Sequence, residues 1–195
     1  MKILAFADTH ANKAAIKRIV KKAKKADILI NAGDISLFGD GLERMMVELD
    51  KIGKKVLMIH GNHETVSEIK EGCRMFKNLK DIHRKVFKMG DYVFLGFGGG
   101  GFSLRDKRFE RISSKWADKY KGRKVVLVTH APPYCTKIDV VLDEHVGNKS
   151  ITKFIKKAKP LLAISGHLHE NSGKKDKIKD CVVVNPGPDG KIIEI

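Results

Sequence analysis

The sequence predicts an α/β fold whose strands end at polar, metal-binding side chains. Short apolar runs rich in Ile, Leu and Val cover residues 2–7, 27–32, 56–59, 125–129 and 161–165. Runs of this length and composition are typical of strands buried on both faces, as in parallel sheets. A His, Asp or Asn follows each run within a few residues. In open α/β sheets the chemistry gathers beyond the carboxyl ends of the strands, so we expect the five strand tips to meet at one site.

The first three strands are separated by stretches with helical periodicity. In residues 12–25 the apolar positions Ile16, Ile19 and Ala23 fall on one face, and the other face is rich in Lys and Arg. A second helix is expected over residues 42–52, ended by Gly53, and a shorter one over residues 65–75.

The alternation of strands and helices stops in the middle of the chain. Residues 85–88 and 92–97 flank Met89-Gly90-Asp91, which predicts a hairpin. Because no helix separates these two strands, they must pair antiparallel, and we expect a second sheet to begin here.

The C-terminal part returns to helices and strands. A helix is expected over residues 107–120, and another begins after Ser150, its expected cap, and ends at Pro160. The last strands are expected over residues 181–185 and 192–195, with a hairpin-like connection at 174–176. Residues 138–146, which include His145, are expected to form a loop over the pocket.

A glycine-rich segment follows the hairpin. Residues 96–101 match a Gly-x-Gly-x-x-Gly pattern. A dinucleotide loop is disfavoured, because no helix opens directly after the segment and no acid ends a following strand. We expect a mobile loop near the metal pocket, although the role of Gly98–Gly101 is open, as is that of His145.

The polar strand tips together form a set of candidate metal ligands. The set is Asp8, His10, Asp34, Asn62, His130, His167 and His169. Seven ligands are too many for one four-coordinate ion and suit two adjacent ions that share a carboxylate. Four imidazoles argue against a Mg²⁺ or Ca²⁺ cage, and the absence of Cys argues against a structural thiolate site. Mn, Fe, Co, Ni and Zn all remain compatible with this mixed ligand set.

The charge of such a centre indicates its substrate. Two divalent ions and two aspartates leave a positive surplus that attracts hydroxide and phosphate. Two ions about 3.5–4 Å apart can clamp phosphoryl oxygens and activate a bridging water. The leaving oxygen then needs a proton. His63, directly after Asn62, is the expected general acid, and Glu64 is expected to orient its ring.

Five sequence blocks resemble those of the calcineurin-like metallophosphoesterases. They are Asp8-x-His10, Gly33-Asp34, Gly61-Asn62-His63-Glu64, Thr129-His130 and Gly166-His167-x-His169. With Asn185-Pro186-Gly187, the resemblance covers nearly the whole chain. It implies a single domain over residues 1–195, folded as a four-layer sandwich of two mixed β-sheets flanked by α-helices.

The resemblance also implies how the ligands are divided. One ion would take Asp8, His10, Asp34 and His169, and the other would take Asp34, Asn62, His130 and His167. Asp34 would therefore bridge the ions, and His63 would protonate the leaving group.

Two departures from the family pattern bear on the substrate. Protein phosphatases of the family carry a phosphate-binding Arg shortly after the second block, and this chain has none there. Glu64 also stands where Asp is frequent. The segments from His130 to Tyr134, from His145 to Gly147 and from Gly166 to Glu170 resemble a prokaryotic branch related to cyclic-nucleotide phosphodiesterases. A phosphodiesterase is therefore favoured, with a phosphomonoesterase, a non-enzymatic metal-binding scaffold or a nucleic-acid-binding module as alternatives.

Composition adds expectations about location and partners. The 195-residue chain has a net charge of +16, which fits either a solvated Lys-rich surface or attraction to nucleic acid. No apolar run approaches the roughly 20 residues that cross a bilayer, so no membrane partner is expected. Three scattered cysteines favour free thiols in the cytoplasm. The sequence does not predict an oligomeric state.

Overall fold

A computed structural model describes all residues, 1–195, and contains two mixed β-sheets. The first sheet has five strands, in the spatial order β13 (Lys191–Glu194), β1 (Lys2–Phe6), β2 (Ile28–Asn31), β3 (Val56–Met58) and β4 (Leu79–Asp81). The strands β1 to β4 run parallel, and β13 pairs antiparallel with β1.

The second sheet has six strands. Their spatial order is β11 (Lys175–Ile178), β12 (Cys181–Val184), β10 (Leu162–Ile164), β7 (Lys124–Thr129), β6 (Tyr92–Phe97) and β5 (Lys85–Met89). The four inner strands are parallel and both edge strands are antiparallel. The sheet therefore begins at the hairpin of β5 and β6, as the sequence predicts.

Five α-helices cover the outer faces of the two sheets. They are α1 (Lys13–Ala23), α2 (Leu42–Asp50), α3 (Val66–Met75), α4 (Lys107–Lys119) and α5 (Lys149–Ala158). One apolar cluster packs α1, α2 and α3 on the first sheet, and another packs α4 and α5 on the second. A third cluster lies between the sheets and includes Ile30, Leu57, Phe94 and Val128. These three cores separate four layers, which confirms the predicted α/β sandwich.

Local hydrogen bonds set the helix starts. The Asn12 side chain accepts from the amides of Ala14 and Ala15, and α3 opens with a capping box between Thr65 and Glu68. No helix combines the length and the apolar character needed to cross a bilayer.

Three local predictions are wrong. The cap of α5 is Asn148, whose side-chain oxygen accepts from the amides of Ser150 and Ile151, so Ser150 lies inside the helix. Residues 138–146, expected to form a loop, contain a small hairpin of β8 (Val140–Val141) with β9 (Glu144–His145). The expected connection at 174–176 is partly strand, since β11 begins at Lys175.

Candidate metal centre

The carboxyl ends of five parallel strands meet at one edge of the sandwich. Strands β1, β2 and β3 deliver their tips from the first sheet, and β7 and β10 deliver theirs from the second. Backbone hydrogen bonds join neighbouring tips: the Asp8 amide donates to Gly33 at 3.1 Å, and the Gly166 amide donates to His130 at 3.0 Å. The sequence elements predicted to converge are therefore adjacent.

The candidate ligand atoms form three overlapping groups, each with all its atoms within 4.8 Å of one another. The groups are Asp8, His10 and His169; His10, Asp34 and His63; and Asp34, His130 and His167. Six of the seven predicted ligands belong to these groups, and so does the predicted general acid.

Asn62, the seventh predicted ligand, lies beside the third group. Its side-chain oxygen is 3.0 Å from His130 Nε2 and 2.9 Å from His167 Nδ1. All seven predicted ligands are thus brought together.

Asp34 occupies the centre of the arrangement. Its Oδ2 lies 3.3 Å from His130 Nε2 and 3.9 Å from His63 Nε2. Its Oδ1 accepts the amide hydrogens of Asn62 at 2.8 Å and His63 at 3.0 Å. A buried carboxylate fixed in this way can share its oxygens between two cations.

The polar atoms at the site fit bound cations. Asp8 Oδ2, His10 Nδ1 and His167 Nε2 are buried and have no hydrogen-bond partner, a costly state that a metal ion would relieve. His10 Nε2 lies 3.0 Å from His169 Nε2. The Nδ1 of His130 donates to the Ala32 carbonyl at 2.8 Å, which orients the ring with Nε2 facing the site.

Burial tunes the protonation of the site. Burial, reinforced by the charge of His130, lowers the pKa of His167 to about 4, and burial also lowers the pKa of His10. Both imidazoles are then neutral at pH 7, the form that binds metals. Burial alone would raise the pKa of Asp34. The hydrogen bond that Asp34 accepts from His130, together with the positive charge of His130, holds that pKa below its usual range.

Similarity to known proteins extends over nearly the whole chain. The family model described as calcineurin-like phosphoesterase matches residues 1–171. The chain belongs to this family. An uncharacterised protein of Methanocaldococcus jannaschii is 37% identical over 200 residues, covering 96% of this chain and 88% of the relative.

Solved structures share the fold at low sequence identity. A protein of Thermus thermophilus has a TM-score of 0.76 and 18% identity, covering 95% of this chain and 88% of the other. A dimetal phosphatase from Danio rerio has a TM-score of 0.63 and 12% identity, covering 94% and 86%. Strands β11, β12 and β13 lie beyond the matched residues 1–171, yet they complete the two sheets of this calcineurin-like phosphoesterase.

The phosphoesterase holds several ligand candidates in left-handed backbone conformations. The φ angles are +57° at Asp8, +43° at His10, +52° at Asp34 and +73° at His167. Such values are uncommon for residues other than glycine, cost on the order of 1–3 kcal/mol each, and cluster at functional sites. The fold therefore stores strain where the ligand atoms converge.

Glu64 does not orient the His63 ring, contrary to the sequence-based expectation. Its buried carboxylate accepts the amide hydrogens of Asp34 at 3.2 Å, Gly61 at 3.1 Å and Ser36 at 2.8 Å. It also accepts the Ser36 hydroxyl at 2.7 Å. These hydrogen bonds tie the loop after β2 to the loop after β3. Glu64 is thus a positioning residue for the backbone around Asp34.

The His63 ring is positioned by packing. Its Nδ1 has no hydrogen-bond partner. The ring lies with its centroid 4.5 Å from that of His10 and 4.0 Å from that of Phe38. Phe38 and Ser36 were not singled out from the sequence, and the only signal was an apolar Leu37-Phe38 pair within a loop that directly follows a ligand block.

The remaining histidines lie outside the three ligand groups. His83 is buried, and its Nδ1 accepts the Gly98 amide at 2.9 Å, while the Gly99 amide donates to the His60 carbonyl at 3.1 Å. These contacts place the glycine-rich segment beside the centre. His145 pairs instead with the buried Asp139 carboxylate at 2.8 Å.

Proposed function

We propose that this calcineurin-like phosphoesterase is a phosphodiesterase with a dinuclear centre of divalent transition-metal ions. The observation that carries the proposal is the convergence of all seven candidate ligands around Asp34, with His63 beside them. Asp34 forms ion pairs only with histidines. The loop after Asp34 lacks the phosphate-binding Arg that protein phosphatases of the family carry there, so it offers no additional cation for the extra negative charge of a monoester.

The residues divide into two ligand sets. One ion would be held by Asp8, His10, Asp34 and His169, and the other by Asp34, Asn62, His130 and His167. When bound, such ions supply an activated water and a clamp on the phosphoryl oxygens.

Side chains of the protein supply the proton for the leaving oxygen and fix the position of the group that donates it. His63 Nε2 lies 3.9 Å from Asp34 Oδ2, and this position at the edge of the ligand groups suits a general acid for the leaving oxygen. The amide hydrogens that Asp34 accepts from Asn62 and His63 fix the carboxylate and the loop that carries His63 together. The proposed proton donor, His63, is thereby held close to the carboxylate that is proposed to bind both ions.

The test compares aryl phosphate diesters and monoesters in the presence of Mn²⁺ or Ni²⁺. We expect turnover with a higher kcat/KM for the diester, and loss of turnover in Asp34→Ala. We expect His63→Gln to lower the rate about 10²–10⁴-fold for a diester with an alkyl leaving group, and less for one with an acidic aryl leaving group. His145→Gln is the matched control, because His145 pairs with Asp139 outside the ligand groups.

Three results would contradict the proposal. Absence of turnover with every divalent metal would favour a non-enzymatic scaffold. Full activity in Asp34→Ala would show that the reaction does not depend on a centre bridged by Asp34. A higher kcat/KM for the monoester would favour a phosphomonoesterase on the same centre.

A further inference from the structure

Two phenylalanines of this chain are exposed, and both lie against histidines of the candidate metal centre. Of the nine phenylalanines, only Phe38 and Phe102 are exposed, at 76% and 66% of their surface. The Phe38 ring centroid is 4.0 Å from that of His63, and the Phe102 centroid is 4.6 Å from that of His167. Exposed aromatic surface placed this way is available to a ligand.

Phe38 is held in place by its backbone. The Leu37 amide donates to Asp40 at 3.1 Å and the Asp40 amide donates to Leu37 at 3.0 Å, which closes a tight turn around Phe38 and Gly39. Both central residues have positive φ, +52° at Phe38 and +85° at Gly39. Asn or Gly normally fills the first of these positions, so a bulky aromatic residue there is strained.

The strained turn is anchored to the metal centre. The Gly39 amide donates to Ser36 Oγ at 3.1 Å, and the Ser36 hydroxyl donates to Glu64 at 2.7 Å. Glu64 in turn accepts the Asp34 amide at 3.2 Å. The turn therefore fixes the backbone of Phe38 relative to Asp34, and the ring lies against His63. Strain that the fold maintains at such a position points to a functional role.

The proposed role of His63 indicates which part of the substrate the Phe38 ring would contact. If His63 protonates the leaving oxygen, the carbon skeleton attached to that oxygen lies within a few ångströms of the His63 ring. The exposed Phe38 ring, tilted 35° from His63, is then the nearest large apolar surface. A planar group would gain stacking there, which a flexible alkyl chain would not.

We propose that Phe38 forms a subsite for a planar aromatic ring on the leaving group of the substrate. The substrate class is then a phosphate ester of a phenol or of an alcohol that carries an aromatic ring. This inference rests on the proposed function, because it takes His63 as the residue nearest the leaving oxygen. Phe102, at His167, supplies a second exposed ring on the same centre.

The test measures binding without turnover. Phenylphosphonate, cyclohexylphosphonate and methylphosphonate share one head group, and their C–P bond is not a phosphate ester. Each is titrated calorimetrically into the Mn²⁺-loaded protein. We expect phenylphosphonate to bind about three- to tenfold more tightly than methylphosphonate and more tightly than cyclohexylphosphonate, as stacking predicts.

Variants at position 38 test whether the aromatic ring of Phe38 causes the preference for phenylphosphonate. Phe38→Gly should bring phenylphosphonate to the affinity of methylphosphonate without lowering Tm, because glycine suits the positive φ. Phe38→Asn tolerates the same turn and should behave alike. Met75→Ala is the control: Met75 is 71% exposed at the end of α3 and should keep the phenyl preference.

The outcomes separate the subsite from the proposed function. If all three phosphonates bind equally, or if Phe38→Gly retains the phenyl preference, the subsite is overturned and the phosphodiesterase proposal stands. A large fall in Tm in both Phe38 variants would overturn it too, since the ring would then be structural. If the protein binds no phosphonate and hydrolyses no diester, the proposed function itself fails.

Discussion

Steric contacts explain why two of the five ligand blocks, those that start at Gly61 and Gly166, begin with glycine. A Cβ on Gly61 would lie 1.9 Å from Asp34 Oδ1, and a Cβ on Gly166 would lie 2.6 Å from the Ala7 Cβ and 2.9 Å from Asp8 Oδ2. Carboxylate oxygens thus occupy the space that any other side chain would need. Glycine is therefore required before Asn62 and before His167, because the carboxylates of Asp34 and Asp8 contact the backbone there.

The substitution Gly61→Ala tests this steric account. The added methyl group must displace the Asp34 carboxylate, so we expect Mn²⁺ affinity measured by calorimetry to fall at least tenfold, about 1.4 kcal/mol. Gly53→Ala is the control, since a Cβ there has nothing within 4 Å. Its positive φ of +74° should cost about 1 kcal/mol of stability and no metal affinity. Unchanged Mn²⁺ affinity in Gly61→Ala would contradict the account.

At the scale of elements, the loops after β2 and β3 form one unit through Glu64. This residue lies between β3 and α3, and its carboxylate accepts hydrogen bonds from Asp34, Ser36 and Gly61. The loop after β2 and the loop after β3, which would otherwise be independent, are therefore joined next to the ligand groups. The turn that carries Phe38 is attached to the same unit through Ser36.

Glu64→Gln should loosen this unit. Gln offers one acceptor oxygen in place of two, which leaves buried donors unsatisfied, and we expect a loss of about 1–3 kcal/mol in the free energy of unfolding. Mn²⁺ affinity should fall with it, because Asp34 loses its backbone support. Glu71→Gln is the control, since Glu71 is exposed and accepts only from Ser67; its change should stay within about 0.5 kcal/mol. Equal melting curves for the two variants would refute the role given to Glu64.

At the scale of the whole molecule, the sequence predicts the convergence of strand tips better than it predicts their surroundings. Buried parallel strands stand out as apolar runs, and their polar ends follow directly, so Asp34 and His130 could be found without coordinates. Adjacency in sequence does not give side-chain direction, which is why Glu64 was assigned to its neighbour His63. The pairing of β13 with β1 joins residues almost the full chain apart, and no local pattern specifies it.

The net charge of +16 is a property of the whole surface. Much of it lies on helices: Lys21 and Lys22 are in the last turn of α1, and Lys156 and Lys157 are in the last turn of α5. Cations at helix C-termini interact favourably with the helix dipole, so these lysines have a structural reason of their own. Nucleic-acid binding stays a prediction.

We propose that Asp34 bridges two cations at the meeting point of both sheets. Anomalous diffraction from Mn²⁺-soaked crystals would locate these cations. We expect two peaks about 3.5–4 Å apart, both within bonding distance of Asp34, with His169 on one and His167 on the other. A single peak, or peaks that do not touch Asp34, would contradict the account.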